Sequence, residues 1–358
     1  MALQLFDGFD DYGAGNPQAF VSKWSTSDGG GVGAQTPGLI SGYAVCLDSA
    51  PITALTPLPY PASDVIVGGR FIRLSSVPGR NPGLVLTNSI GDLSGTPTLT
   101  LALTGDLPVP TFQLTNSAGT VLGSSAVQIV NVNEWYELEI HASIDTTVGS
   151  ATVKLNGNTV LSLTNVNTQG TSASNLIGAA GFISSNNVWS SYWDDFYVCD
   201  TTGSAPYNTF LSTVAGPMGP RVYTVFPNSD SSVAWTPASG SSNFAMVDEQ
   251  SFDGDTSYVY SSTAGQQDLY GVPTLSGITN VLCVKTSYVA RMDDSGFKSV
   301  SGSLHSGSTT YQGTTETLTG NYQKFDDYYL DDPATSAAWN VAKLVTPGDL
   351  LIGVKCVA

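Results

Sequence analysis

The sequence is poor in charged residues, and basic residues are especially scarce. Asp, Glu, Lys and Arg make up 11% of the 358 residues, whereas a soluble domain usually contains about 25%. The 12 Lys and Arg residues stand against 29 Asp and Glu residues, which gives a net charge of -17. Nucleic-acid binding depends on Lys and Arg side chains that neutralise phosphates. The composition therefore argues against a nucleic-acid partner.

The sequence also lacks the segments that direct a protein to a membrane or insert it there. The N-terminus, MALQLFDGFDDYG, has neither the basic region nor the apolar region of a signal peptide. No apolar run approaches the roughly 20 residues that are needed to cross a bilayer. We therefore expect a chain that is made in a cytoplasm and is not inserted into a membrane.

The four cysteines are far apart and form no metal-binding pattern. Cys46, Cys199, Cys283 and Cys356 include no Cys-x-x-Cys pair and have no histidine at the spacing of a zinc site. Several of them lie in strand-like segments, where a thiol behaves as a small apolar side chain. The pattern favours buried thiols, and a disulfide within either half of the chain is the alternative.

What the sequence does contain is a long series of short β-strand patterns. Runs rich in Val, Thr, Tyr and Phe are separated by clusters of Gly, Pro, Asn and Ser, which is typical of a β-sandwich or barrel. The clearest element is a hairpin over residues 151–164, because Asn156-Gly157 suits a two-residue type I′ turn. Helical patterns are nearly absent, and the sequence therefore predicts an all-β protein.

The patterns divide the chain into two parts. Aromatic and acidic residues occur together at 6–12 and again at 192–198, which suggests that the first and last strands of one sandwich pair and so remove an exposed edge. We therefore predict a first domain over residues 1–200. Residues 201–220, rich in Thr, Gly, Ser, Ala and Pro, are predicted to form a linker or an extended surface loop. A smaller β-sandwich is predicted over residues 221–358.

Two series of residues resemble proteins of tailed phages. The first half resembles the concanavalin A-like, laminin-G-like jelly rolls that are common among phage structural proteins. The segments that carry this resemblance are Trp135-Tyr136-Glu137-Leu138-Glu139-Ile140, Asn156-Gly157 and Trp193-Asp194-Asp195-Phe196-Tyr197-Val198. The second half is similar to a module that often follows this jelly roll in phage proteins. Its matching segments are Arg221-Val222, Phe226-Pro227-Asn228-Ser229-Asp230, Trp235-Thr236-Pro237, 253–259, Asp268-Leu269-Tyr270, 290–296 and Ala337-Ala338-Trp339.

The resemblance implies a non-enzymatic structural component of a virion, made in the cytoplasm of a bacterial host. Its implied partners are other virion proteins of the capsid or the tail and, in addition, a glycan on the host surface. A tail- or fibre-associated role in receptor binding is the preferred hypothesis, and a capsid decoration or head-fibre protein is the alternative. A homo-oligomer is expected, with a trimer favoured by analogy with fibres and decoration proteins. A free carbohydrate-binding module or a glycosidase would be a function of another class.

The candidate ligand contacts are aromatic and amide side chains within one segment. Trp189 and Trp193, with Tyr192 between them, lie close in the sequence to Asn186 and Asn187. Exposed aromatic rings can stack on sugars and anchor protein interfaces. We therefore predict a glycan- or interface-contact patch in this segment, and packing in the core of the sandwich is the competing interpretation.

Catalytic and metal-binding patterns are lacking. Glycoside hydrolysis uses two carboxyl groups across a cleft, but the sequence has no Glu-x-Asp-x-x-Glu strand, and adjacent aspartates on a strand point to opposite faces. His141 and His305 are not accompanied by the nucleophile elbow of a serine hydrolase. We therefore predict no catalytic residue, no metal site and no cofactor. Calcium is the alternative at Asp253-Gly254-Asp255, where a simple turn is the favoured interpretation.

Overall fold

The computed structural model describes residues 3–13, 23–26, 32–35, 38–39, 43–47, 52–73, 82–88, 96–105, 108–184, 191–294 and 298–357. The chain forms two compact units, Met1–Tyr223 and Thr224–Ala358. Residues 201–220, the predicted linker or surface loop, belong to the first unit. None of the described helices is long and apolar enough to cross a membrane.

The first unit contains two β-sheets with antiparallel pairing, and we call the larger one sheet A. Its described strands are β1 (Leu3–Asp7), β3 (Val32–Gln35), β4 (Ala44–Leu47), β6 (Asp64–Arg73), β11 (Trp135–Ser143), β12 (Gly149–Leu155), β13 (Asn158–Val166) and β15 (Ser191–Cys199). They lie in the order β13-β12-β11-β6-β15-β4-β3, and β1 pairs with β15. Phe6 lies opposite Tyr197 in that pair, which confirms the predicted pairing of the first and last strands.

We call the second sheet of this unit sheet B. Its described strands are β2 (Ser25–Thr26), β5 (Ile52–Ala62), β7 (Pro82–Thr87), β8 (Leu99–Thr104), β9 (Thr111–Asn116), β10 (Val121–Ser124) and β14 (Ile177–Ser184). They lie in the order β10-β9-β8-β7-β14-β5-β2. Burial alternates along β8 and β9, because successive side chains of a strand point to opposite faces and one face covers the core.

Large aromatic side chains join the two sheets. Phe182 of sheet B packs on Trp193 and Phe196 of sheet A, each at a ring-centroid distance of 4.7 Å. Trp24 stacks on the same Phe182 at 5.4 Å. All four side chains are buried. The first unit is therefore a β-sandwich with an aromatic core, and the predicted all-β fold class is confirmed.

The predicted hairpin is confirmed as well. Strands β12 and β13 pair from Leu155↔Asn158 outward, so the connection has two residues. Asn156 and Gly157 both have positive φ, at 47° and 74°, as a type I′ turn requires.

The described residues of the second unit form a five-stranded sheet, which we call sheet C, and three two-stranded ladders. The strands of sheet C are, in spatial order, β16 (Ser229–Ser232), β19 (Gln267–Gly271), β26 (Leu350–Cys356), β21 (Ser299–Ser306) and β22 (Thr309–Thr317). The ladders are β17 (Thr236–Pro237) with β18 (Val259–Tyr260), β20 (Val284–Ala290) with β23 (Gln323–Tyr329), and β24 (Asp331–Asp332) with β25 (Ala337–Ala338). The described α-helices of the chain are α1 (Ser212–Ala215) in the first unit and α2 (Ala342–Val345) in the second.

The β20–β23 ladder packs against sheet C. The carboxylate of Asp327 lies directly over Gly302 and Gly313, where a Cβ at either position would collide with it. The backbone N–H of Thr314 donates to Asp327 Oδ1 at 2.7 Å. The second unit therefore also has two β-layers, in agreement with the smaller sandwich that the sequence predicts.

Candidate functional site

The structure places the predicted ligand contacts in two different settings. Trp193 is 0% exposed and Tyr192 is 8% exposed. Trp193 packs against Phe71 at 5.4 Å and against Phe182, so its ring belongs to the interior of the sandwich and presents no surface to a ligand. Asn186, Asn187 and Trp189 lie outside the described residues, and for these three the predicted contact patch stays a prediction.

Sequence reasoning missed a group of charged side chains on the face of sheet A that points away from sheet B. We call Arg70, Glu137, Glu139, Asp195 and Tyr197 the charged cluster, and all five are buried. Strand β11 supplies the two glutamates on one face, while the alternating apolar residues of the same strand are buried in the sandwich core. The signal that could have revealed them is the sequence Glu137-Leu138-Glu139, because two carboxylates two residues apart on a strand share a face.

A β-bulge brings Asp195 into this group. The pairing between β15 and β6 shifts register between Asp194 and Tyr197, and Asp195 has a φ of 51°. Its Oδ2 lies 3.4 Å from Arg70 Nε. Asp194 accepts instead from the backbone N–H of Leu39 at 2.8 Å. The two neighbouring aspartates therefore contact different partners, because a β-bulge changes the direction in which side chains point.

A segment of the same chain closes the charged cluster off from solvent. We call residues 210–222, which include α1, the covering segment. Its main chain forms hydrogen bonds with three of the charged side chains. These run from Arg70 Nη2 to the oxygens of Gly219 (3.1 Å) and Pro220 (3.3 Å), from Val222 N to Asp195 Oδ1 (2.7 Å) and from Ser212 N to Glu139 Oε1 (3.1 Å). Tyr197 OH also donates to Glu139.

Apolar contacts hold the start of the covering segment. Phe210 lies under the ammonium group of Lys154, 4.4 Å from the ring centroid, and edge-on to His141 at 5.9 Å. His141 also lies 2.6 Å from Asp64 Oδ1. Phe210 and Leu211 are buried. His141 therefore contacts both the covering segment and the neighbouring strand β6, and these are structural contacts.

Burial governs the electrostatics of the cluster. It raises the pKa of Glu137 to about 9, the negative charge of Glu139 adds to this rise, and Arg70 partly offsets it. Burial also raises the pKa of Asp195, against the effect of the Arg70 charge. The same desolvation lowers the pKa of Arg70, since each charged form is costly away from water. Glu137 is therefore protonated at neutral pH.

The arrangement is suited to holding the covering segment. Glu137 and Glu139 share a strand face, as the two acids of a glycosidase would be required to share a cleft. Gly219, with a φ of 65°, presses against the carboxyl group of Glu137, and a Cβ at this position would collide with it. The space in front of the two carboxyl groups is thus filled by the protein's own main chain.

At Asp253-Gly254-Asp255, the alternative calcium site, Asp255 already has hydrogen-bond partners within the protein. Asp255 Oδ1 accepts from Arg291 Nη2 at 2.9 Å and from Tyr322 OH at 2.6 Å. Gly254 has a φ of 69°, as tight turns often require. The described part of the chain contains no group of three or more His, Cys, Asp or Glu side chains that could hold a metal ion. The guanidinium of Arg291 is already bound to Asp255 Oδ1, and a calcium ion would have to compete with it for this oxygen.

Four tyrosines among the described residues expose more than a third of their surface. They are Tyr60, Tyr223, Tyr258 and Tyr260. Tyr258 and Tyr260 contact each other, with ring centroids 6.1 Å apart. Because large aromatic side chains gain free energy from burial, this exposed pair is a second candidate for binding, alongside the predicted segment around Trp189.

No protein-family model and no curated protein matches the sequence. Solved structures with similarity to the chain include a protein with a galectin-like fold from Bacillus subtilis, at 14% identity and a TM-score of 0.39, over 56% of this chain and 96% of that one. Another is the carbohydrate-binding module CBM66 from Bacillus subtilis, at 12% identity and a TM-score of 0.32, over 49% and 95%. A third is domain 4 of an extracellular arabinanase from Geobacillus stearothermophilus, at 14% and 0.36, over 55% and 92%. At these values the comparisons assign no ligand to the chain.

Proposed function

We propose that this chain is a non-enzymatic structural component of a tailed-phage virion and that it contributes to recognition of glycans on the host surface. The observation that carries the first part is the closed charged cluster. Glu137 and Glu139 are two carboxyl groups on one strand face, as acid–base chemistry would require, and the covering segment fills the space in front of them. This favours a mechanical role over catalysis.

The virion assignment is supported by the ordered series of segments that resembles phage structural proteins. The composition supports it too, because a surface of hydroxyl and amide groups with 11% charged residues is typical of proteins that work outside cells. Such a protein would act through shape and weak polar contacts that are repeated over many copies. Linking binding sites can raise the overall affinity by about 10²–10⁴-fold without any new contact.

The location within the particle divides the proposal into two versions. A tail- or fibre-associated protein would meet the host surface first, and we prefer this version. A capsid decoration or head-fibre protein is the alternative. In both versions the chain is carried by the virion, assembles with other virion proteins and forms a homo-oligomer, with a trimer as the preferred state.

Immunogold electron microscopy of purified virions, with an antibody against this chain, tests the proposal. Gold over the tail or its tip is the expected result, and gold over the head would select the decoration protein instead. Unlabelled particles, under conditions in which an antibody against a known coat protein labels them, would contradict the virion role. A free carbohydrate-binding module would then be the better account.

A glycosidase is the competing function, because glycoside hydrolysis requires a pair of carboxyl groups such as Glu137 and Glu139. If the covering segment moved aside, oligosaccharides would be hydrolysed, and Glu137→Gln or Glu139→Gln would abolish turnover. We expect no release of reducing sugar by the wild-type chain from oligosaccharides that it binds. A measured turnover that both substitutions remove would overturn the non-enzymatic assignment.

A further inference from the structure

We propose that Tyr258 and Tyr260 form a stacking platform for a neutral, hexose-containing glycan. This inference rests on the glycan recognition proposed above and assigns it to a site in the second unit. The two rings lie 6.1 Å apart and are 38% and 50% exposed.

Tyr260 in β18 and Tyr258 directly before that strand are exposed, and Val259 between them is half-buried, as the alternation of an extended chain predicts. Tyr260 lies opposite Thr236, and Val259 lies opposite Pro237. Val259 and Pro237 are half-buried, whereas Tyr258, Tyr260 and Thr236 are exposed. In a ladder with one covered face, the larger apolar residues usually point inward. Here the larger tyrosines are exposed and the smaller Val259 and Pro237 are half-buried. A ligand that covered the two aromatic rings would gain the free energy of removing them from water.

The ring faces are open because their cross-strand neighbours are small. Thr236 stands opposite Tyr260, and Ala238, whose N–H donates to the oxygen of Tyr258 at 2.9 Å, stands beside Tyr258. Both neighbours are exposed. The two ring planes are inclined at 50° to each other, so the rings form an angled surface on which each can stack on a different sugar ring, and the hydroxyl of Thr236 lies across from Tyr260. A pyranose has an apolar face of C–H groups and a rim of hydroxyls, which matches this pattern of a ring with a polar edge.

The platform is held in place by a buried carboxylate. Asp268 accepts from the backbone N–H groups of Ala234 and Trp235, at 2.6 and 2.8 Å, and from the side chain of Asn243 at 2.7 Å. Trp235 precedes β17 directly, and its indole N–H donates to the oxygen of Gln266 at 3.1 Å. Preorganised contact groups of this kind reduce the entropy that is lost on binding.

The chemistry around the rings favours a neutral sugar. Both strands of the ladder lack Asp, Glu, Lys and Arg, and the charged side chains that contact the residue before Tyr258 are acidic, since Ser257 Oγ donates to Glu249 and to Asp253. Ser261 Oγ donates to Gln266 Oε1 at 2.6 Å, so hydroxyl and amide groups follow Tyr260 along the chain. The net charge of -17 disfavours approach of an anionic glycan at low salt.

The size of the platform favours a glycan over a protein partner. Two tyrosines at these exposures offer roughly 200 Å² of surface, given the area of an aromatic side chain. A specific protein interface needs about 800 Å² from each partner. One or two sugar rings need only the area of the two aromatic rings.

The test measures binding of the full chain to a panel of neutral oligosaccharides built from glucose, galactose, mannose, rhamnose and N-acetylglucosamine. For the oligosaccharide that binds best, we expect Tyr258→Ala with Tyr260→Ala to weaken binding about tenfold or more, as loss of an aromatic anchor does. Tyr258→Phe with Tyr260→Phe keeps the rings and should retain most of the affinity. Tyr60→Ala, which removes a 55% exposed tyrosine from the first unit, is the matched control and should bind as the wild type does.

Three further outcomes would each refute the tyrosine platform or the glycan recognition on which it rests. If the wild type binds an oligosaccharide and the double alanine variant binds it equally well, the platform is refuted and glycan recognition stands at another site. If no neutral oligosaccharide binds while virions still carry the chain, both the platform and the glycan part of the proposed function fail. If the double alanine variant loses self-association in sedimentation velocity and the wild type binds no sugar, the tyrosines form a protein interface instead.

Discussion

Glu137 is a buried residue whose carboxyl group is affected by several charged side chains. Its carboxyl group is influenced by the charges of Glu139 on its own strand, of Arg70 on the adjacent strand β6, of Lys154 on the adjacent strand β12 and of Asp195 on β15, the strand beyond β6. The main chain at Gly219 closes the remaining side. A proton on Glu137 removes a negative charge from a buried space, where a charged carboxylate is costly.

This proton makes the stability of the first unit depend on pH. The pKa of Glu137 is about 9 in the folded chain and near 4.5 in the unfolded chain, so folding takes up a proton between these values. The stabilisation is complete below about pH 4.5 and is lost as the pH rises towards 9, by up to about 1.4 kcal/mol per pH unit. Urea unfolding at pH 5, 7 and 9 should show this decline. Glu137→Gln should show a flatter dependence, and an equal slope in both proteins would contradict the assignment of the proton to Glu137.

At the level of elements, the covering segment approaches sheet A closely at Gly219. Gly219 has positive φ, and a Cβ there would collide with the carboxyl group of Glu137, whereas a Cβ at Gly216 would meet open space. Gly216 has a φ of 92° and a ψ of 172°, a backbone conformation that is almost exclusive to glycine. Backbone strain therefore dominates at Gly216, and crowding by a neighbouring side chain applies to Gly219.

We expect Gly219→Ala to destabilise the first unit by about 1–3 kcal/mol more in the wild type than in the Glu137→Ala variant, because an overpacked side chain forces its neighbours to move and this variant removes the carboxyl group that the new Cβ would meet. The comparison requires the free energy of unfolding from urea titrations of the wild type, the two single variants and the double variant at one pH. Equal effects of Gly219→Ala in the two backgrounds would show that the segment can shift away from Glu137 at little cost.

The sequence predicts elements whose signals are local and misses those whose burial is decided by distant residues. The Asn156-Gly157 hairpin was predictable because turn chemistry and alternation lie within fourteen residues. Trp193 was ambiguous, because an aromatic side chain serves equally as a core residue or as a ligand contact. The sequence of the covering segment predicts a linker because its small and polar residues lack an apolar pattern. Its main chain nevertheless forms hydrogen bonds with charged side chains that lie 27 to 150 residues earlier.

At the scale of the whole molecule, the first unit ends at a different residue in the structure from the one that the sequence predicts. The sequence predicts a domain that ends near residue 200, whereas the compact unit extends to Tyr223. The difference is the covering segment together with the residues that lead into it. Phe210 and Leu211 are buried there, and burial of such side chains contributes about 1.5–3 kcal/mol each.

Fragments that end at residues 200 and 223 distinguish these boundaries. We expect the fragment 1–223 to unfold with the same urea midpoint as the first unit in the full chain. The fragment 1–200 should be less stable by several kcal/mol, since about 1.5–3 kcal/mol is lost for each of the two buried side chains. Circular dichroism and tryptophan fluorescence follow both transitions. Equal midpoints for the two fragments would restore the boundary at residue 200.

The position of β15 in sheet A sets a delay during protein synthesis. This strand pairs with β6, β4 and β1, yet it begins at Ser191, 118 residues after β6 ends at Arg73. A ribosome that adds roughly 5–20 residues per second needs about 6–24 s to cover that distance. Both edges of β6 lack a partner until β11 emerges, and the edge that β15 will occupy stays unpaired throughout the interval. Chaperone demand during translation should therefore be concentrated between the emergence of β6 and that of β15.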